Sequence, residues 1–172
     1  MIDSGQPLRE GVEHGLRDHL DNTWWQNYVE GSLDTALWSA IDELGLPRLL
    51  AGAHPDTSLE EAHGALQALA HLSVPAPAAE TMMAHWLASK AGLELPDGPI
   101  AFGPTRAEPE PTAVKTRSGW TLTGRVHGVP WGGSASAVLL QAATEEGDVW
   151  CVLPHGHPGN ESHSSSCGEP RD

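Results

Sequence analysis

The first half of the chain spaces its apolar residues with a helical period, and the second half alternates them. Leu8, Val12, Leu16 and Leu20 stand four apart and predict an amphipathic helix over residues 7–20, weakened at Gly11 and Gly15. Leu33, Leu37, Ala40, Ile41 and Leu44 make the next apolar face, and Gly45 is placed to end that helix. Between the two, Asn22-Thr23-Trp24-Trp25 reads as a connection whose aromatics pin it to the core. Ser58-Leu59-Glu60-Glu61 fits a capping box, in which hydroxyl and carboxylate satisfy orphan amides reciprocally. Leu59, Ala62, Leu66 and Leu69 follow it on one inward face. Pro75 and Pro77 break the chain before a helix over residues 78–91, given bulk by Met82, Met83, Trp86 and Leu87 and stopped by Gly92.

Leu95-Pro96-Asp97-Gly98 is a turn, and beyond it the period changes. Residues 99–103 read as a strand, 106–111 as an acidic, proline-rich loop, and 113–116 and 119–125 as two further strands. In the last of these Trp120 and Leu122 share one face while Thr121 and Thr123 share the other, the pattern of a half-buried antiparallel strand. Residues 137–143 and 149–153 predict a hairpin around Glu145-Glu146-Gly147-Asp148, and the chain from His155 onward reads as polar loop. The expected fold class is α+β: an N-terminal all-α helical domain over residues 1–98, then an incomplete antiparallel β-barrel-like domain with a polar tail over residues 99–172.

Charge narrows the possible partners. Lys and Arg number 9 against 23 acidic residues, a formal charge of −14, which repels nucleic-acid phosphates and anionic lipid. No apolar run is long enough to span a membrane, and the N-terminus has neither the basic region nor the apolar core of a signal peptide. Cys151 and Cys167 form no Cys-x-x-Cys pair, so the expected setting is a reducing cytoplasm. His155, His157, His163 and Cys167 match no zinc spacing and read as a solvated tail, so no metal site is assigned. Gly132-Gly133-Ser134 lacks the glycine pattern of a nucleophile elbow, and no catalytic residue is assigned either. Trp38, Trp86, Trp120 and Cys151 read as core residues; Trp24, Trp25 and Trp131 are free to line a cleft or a subunit contact.

Several segments, in this order, resemble the front part of the flavin-dependent acyl-CoA dehydrogenases. Residues 37–46 (Leu-Trp-Ser-Ala-Ile-Asp-Glu-Leu-Gly-Leu) resemble that family's early helix ending in Leu-Gly-Leu, and Ser58-Leu-Glu-Glu-Ala62 resembles the start of its next core helix. Gly119-Trp-Thr-Leu-Thr-Gly-Arg125 is similar to the barrel strand Gly-aromatic-x-Leu-x-Gly-Lys. Val129-Pro130, Ala135, the strand at 149–154 and Gly168-Glu-Pro-Arg-Asp172 resemble later parts of the same barrel. The resemblance implies a helical domain, a small β-barrel and a closing four-helix bundle, with FAD as cofactor and an acyl-CoA as substrate. It implies α,β-desaturation of the thioester and a homo- or hetero-oligomer. It places the flavin contacts at Phe102 and Thr105, after the first strand, and at Val129 and Trp131. Two departures accompany it. The Gly-Ser of the first flavin motif is absent from Gly103-Pro-Thr-Arg-Ala-Glu-Pro109, and Gly128 and Pro130 stand where the second has tryptophan and a hydroxyl. The base that takes the α-proton belongs to family sequence beyond Asp172. The expectation is a chain inactive alone, either part of a dehydrogenase or a non-catalytic partner subunit of one.

Overall fold

The computed structural model describes residues 5–28, 32–52, 57–103, 110–117, 119–157, 163–164 and 170–171. The chain falls into two compact units, Met1–Glu94 and Leu95–Asp172.

The first unit is helical: α1 (Gln6–Arg17), α2 (Asn22–Asn27), α3 (Thr35–Glu43), a 3-10 turn at Leu46–Arg48, α4 (Leu59–His71) and α5 (Ala78–Ala91). Side-chain caps define its starts. Asp21 accepts from Trp24 N–H, Asp34 from Ala36 and Leu37 N–H, and the Ser58–Glu61 box closes in both directions. α3 and α5 stop at the left-handed glycines Gly45 (φ 73°) and Gly92 (φ 64°), where a side chain would be strained. Val12, Leu16, Leu37, Ile41, Leu46, Leu69 and Met82 fill the core, with Leu8, Leu20 and Leu66 packed at its margin.

Three details depart from the sequence reading. Asn22–Asn27 is a helix rather than a connection, because the Asp21 cap nucleates a turn too short to show a period. Leu59 is 75 % exposed, since the first position after the cap turns away from the face that Ala62 and Leu69 bury. Met83 and Trp86 are exposed as well, and α5 buries mainly small side chains around Met82 and Thr81.

The second unit holds β1 (Ile100–Phe102), β2 (Thr112–Thr116), β3 (Gly119–Thr123), β4 (Ala137–Thr144), β5 (Gly147–Pro154), and a separate short pair, β6 (His163–Ser164) with β7 (Pro170–Arg171). The last pair lies in the stretch read as loop. β1 to β5 form one open sheet. The hairpins β2–β3 and β4–β5 are antiparallel, but β1 and β2 both run parallel to β4, so the sheet is mixed. The reason is positional: β5 occupies one edge of β4 along its whole length. The arrivals from earlier in the chain share the other edge, β1 at Ala137–Leu139 and β2 at Ala143. One face of the sheet is built by Ala101, Ala113, Val138, Leu140 and Ala142, with Leu122, Val149, Cys151 and Leu153 beside them. Cys151 is half-buried rather than fully buried. Trp120 faces the same side as Leu122 but is 55 % exposed, because the end of the hairpin runs past this core; Lys115, directly opposite, sets its ammonium 5.8 Å from the indole centroid.

α4 passes close to the start of α1 at Gly64. A Cβ at Gly64 would sit 2.5 Å from the Gly5 carbonyl oxygen. Helix propensity alone favours alanine over glycine by about 1 kcal/mol, so any loss measured in Gly64→Ala reports the clash. We expect Gly64→Ala to lower unfolding stability by about 1–3 kcal/mol in urea titration. The same helix pair is bridged by Glu13, whose Oε1 accepts from Arg9 Nε (3.0 Å) and faces His71 Nδ1 (3.2 Å). The Arg9 hydrogen bond, with His71 adding to it, holds the Glu13 carboxyl below its usual range against the raising effect of partial desolvation. A carboxyl whose folded pKa is lowered contributes stability above its unfolded value and loses it as pH falls through the folded one. Glu13→Gln is therefore expected to be less stable than the parent at neutral pH. The difference should close as the pH drops below 4.5, read from denaturation midpoints across a pH series.

Candidate functional site

The strand β1 ends at Phe102, and the chain then leaves and returns along one edge of β4. Gly103 N–H donates to Leu139 O (2.8 Å) and Ala143 N–H to Pro111 O (2.8 Å). Both flanks of the intervening segment are thus docked on the same strand, four residues or about 13 Å apart. A Cβ on Gly103 would meet Leu140 Cβ at 3.0 Å, which is why the departure point has no side chain. Thr105 lies in that segment, outside the described residues.

Phe102 is half-buried, and its ring lies 5.6 Å from that of Trp150, tilted by 42°. The register explains the meeting. Phe102 pairs with Leu139 on one side of β4, and Trp150 pairs with Gln141 on the other, so both rings stand on the face that carries Leu139 and Gln141. Trp150 was not among the sequence candidates. Its signal was available once the Glu145–Glu146 turn is taken as the hairpin end, since counting back sets Gln141 opposite Trp150. Gln141 Nε2 is held by Asp148 Oδ2 at 2.7 Å.

Val129 and Trp131 belong to the turn that leads into β4. Val129 is 5 % exposed and packs with Ala101, Ala135, Val138 and Leu140, the face opposite Phe102. Trp131 is 6 % exposed and has φ 64°, a left-handed conformation that costs a bulky residue about 1–3 kcal/mol. The turn is held in place by hydrogen bonds: Ser134 and Ala135 N–H both donate to Trp131 O, at 3.0 and 2.9 Å, and Ser136 N–H donates to Pro99 O at 2.7 Å. His155 adds its own N–H to Ser136 O, and Nδ1 to Ala135 O at 2.9 Å, which fixes the proton on Nδ1.

The structure therefore brings Phe102 to Trp150, and Val129 to the opposite face. Buried as they are, Val129 and Trp131 could meet a ligand through their main chain but not through an open side-chain surface. The described residues do not by themselves complete a flavin cradle. The cations Lys115, Arg117 and Arg125, on and beside the β2–β3 hairpin, are exposed and of the right sign for a phosphate.

The helical unit carries an open cleft of about 750 Å³, lined among others by Asp18, Asp21, Trp24, Tyr28 and Asp34. Trp24 stacks on Tyr28 at 4.9 Å and donates its indole N–H to Asp34 Oδ2 at 2.9 Å. Asp34 is held below the usual carboxylate range, first by Leu37 N–H and then by this indole. Two of the three carboxylates are thus committed to capping helices. Their charge turns phosphates away, and cap formation accounts for the arrangement. No group of three or more His, Cys, Asp or Glu among the described residues could hold a metal ion.

No family model matches the sequence, and no curated protein matches it. Solved structures do match the fold. The ChsE4–ChsE5 complex from Mycobacterium tuberculosis superposes with a TM-score of 0.75 at 18 % identity, over 99 % of this chain and 53 % of that one. Butyryl-CoA dehydrogenase from Megasphaera elsdenii gives 0.68 at 17 %, over 99 % and 54 %. A glutaryl-CoA dehydrogenase from Mycobacterium smegmatis, in complex with FADH2, gives 0.59 at 17 %, over 95 % and 51 %. The chain has the mixed α+β fold of part of an acyl-CoA dehydrogenase, and it spans about half the length of the solved structures it matches.

The aromatic pair is the part of this site that can be weighed in isolation. A double-mutant cycle of Phe102→Ala and Trp150→Ala, read by urea unfolding, is expected to give a coupling of about 0.5–1.5 kcal/mol. Additive losses would mean that the rings do not support one another.

Proposed function

We propose that this chain is part of an acyl-CoA dehydrogenase-like flavoprotein, whose whole form desaturates an acyl-CoA thioester between its α and β carbons. The observation that carries the reading is the likeness in fold, over almost the entire chain, to dehydrogenases of butyryl-CoA and glutaryl-CoA. Segments resembling that family occur in the matching order, which supports it further. In such a reaction the α-proton leaves to a base and a hydride leaves the β-carbon; FAD, when bound, supplies the acceptor for that hydride. Phe102, Thr105, Val129 and Trp131 are the positions we assign to the flavin side. Of these, Phe102 offers a ring surface and the turn at Val129–Trp131 offers main chain. None of the described residues is placed as the base.

Acid–base chemistry needs that base within hydrogen-bond reach of the proton, so the chain alone is expected to be inactive. The test is direct. Purified chain, FAD, a panel of acyl-CoAs of graded length and an artificial electron acceptor are combined and acceptor reduction is followed. No turnover above the protein-free rate is expected; sustained turnover would overturn the inactivity. Failure of acyl-CoA or FAD to shift the chain's melting temperature, even with a complete dehydrogenase polypeptide present, would count against the flavoprotein reading itself.

A second reading, a non-catalytic partner subunit, is favoured by one finding: a solved structure similar over 99 % of this chain is described as a complex of two differently named components. In that reading the chain contributes surface and stability to a hetero-oligomer in the cytoplasm, while the partner holds the chemistry. Co-expression with an intact dehydrogenase separates the two readings. Stoichiometric co-purification supports the subunit, and its absence supports a part of one polypeptide.

A further inference from the structure

We draw no further inference here: the strongest candidate, the open cleft of the helical unit beside Trp24, Tyr28 and the carboxylates of Asp18, Asp21 and Asp34, is an acidic cluster in which Asp21 and Asp34 cap helices, and no second observation among the described residues points to a ligand there.

Discussion

The β unit rests on one strand. β4 is the common neighbour of β1, β2 and β5, so every long-range pairing in the open sheet is made through Ala137–Thr144. That position requires a strand apolar on both faces. Val138, Leu140 and Ala142 serve one cluster, while Ala137 and Leu139 are equally buried on the reverse side. The small alanines set how close the neighbours come. Two polar side chains, Gln141 and Thr144, appear only toward the turn, where burial eases and Asp148 and Gly147 O give them partners. The approach to β4 is fixed as firmly as the strand itself. A tryptophan is held at positive φ, two N–H groups are spent on its carbonyl, and His155 is pinned on the residues just before the strand begins. Backbone strain of that size persists only where surrounding structure over-determines it. Here the burial of Trp131 and the bonds that close the turn supply the constraint.

The helical unit uses a different economy. Its cores are alanine-rich, with Ala62, Ala65 and Ala68 buried along α4, so the elements can approach closely but gain little area per residue. Ends therefore matter more than bulk. Asp21, Asp34 and Ser58 each satisfy otherwise orphaned amides, and Gly45 and Gly92 stop their helices in a conformation other residues resist. The same economy explains the acidic cleft near Trp24, whose carboxylates are accounted for by capping.

Much of this was legible in the sequence, and the rest was not for identifiable reasons. The Ser58 box, the glycine stops and the β4–β5 hairpin are local signals, complete within a few residues, and the structure reproduces them. The α+β class follows from the change of period after Leu95. The short helix at Trp24–Trp25 escaped notice because six residues carry no measurable period, only a cap. The parallel partnership of β1 and β2 with β4 escaped because alternation tells a strand's faces but not which distant strand it will meet. Trp120 shares the face of Leu122, as its parity says, but it is exposed rather than core, because parity does not say where the core stops. At the candidate site, Phe102 sits as its strand position suggested, on a surface completed by Trp150, which only the hairpin register reveals. Thr105 lies outside the described residues.

These facts bear on how the two faces of the sheet divide their work. The face of Val138, Leu140 and Val129 is an apolar cluster with Cys151 packed against it, and Lys115 and Trp120 extend it at the exposed end of the hairpin. The reverse face is mixed, with Leu139 buried, Gln141 held by Asp148, and two aromatic rings half open to solvent. A flat, apolar ring system would gain area and stacking there, and an oriented amide lies one residue pair away. Gly103 and Pro111, on either side of Thr105 in sequence, both bond to β4. The aromatic and polar surface of the sheet is thus on the Phe102 side, while the Val129–Trp131 turn fixes the start of the strand on which that side is built.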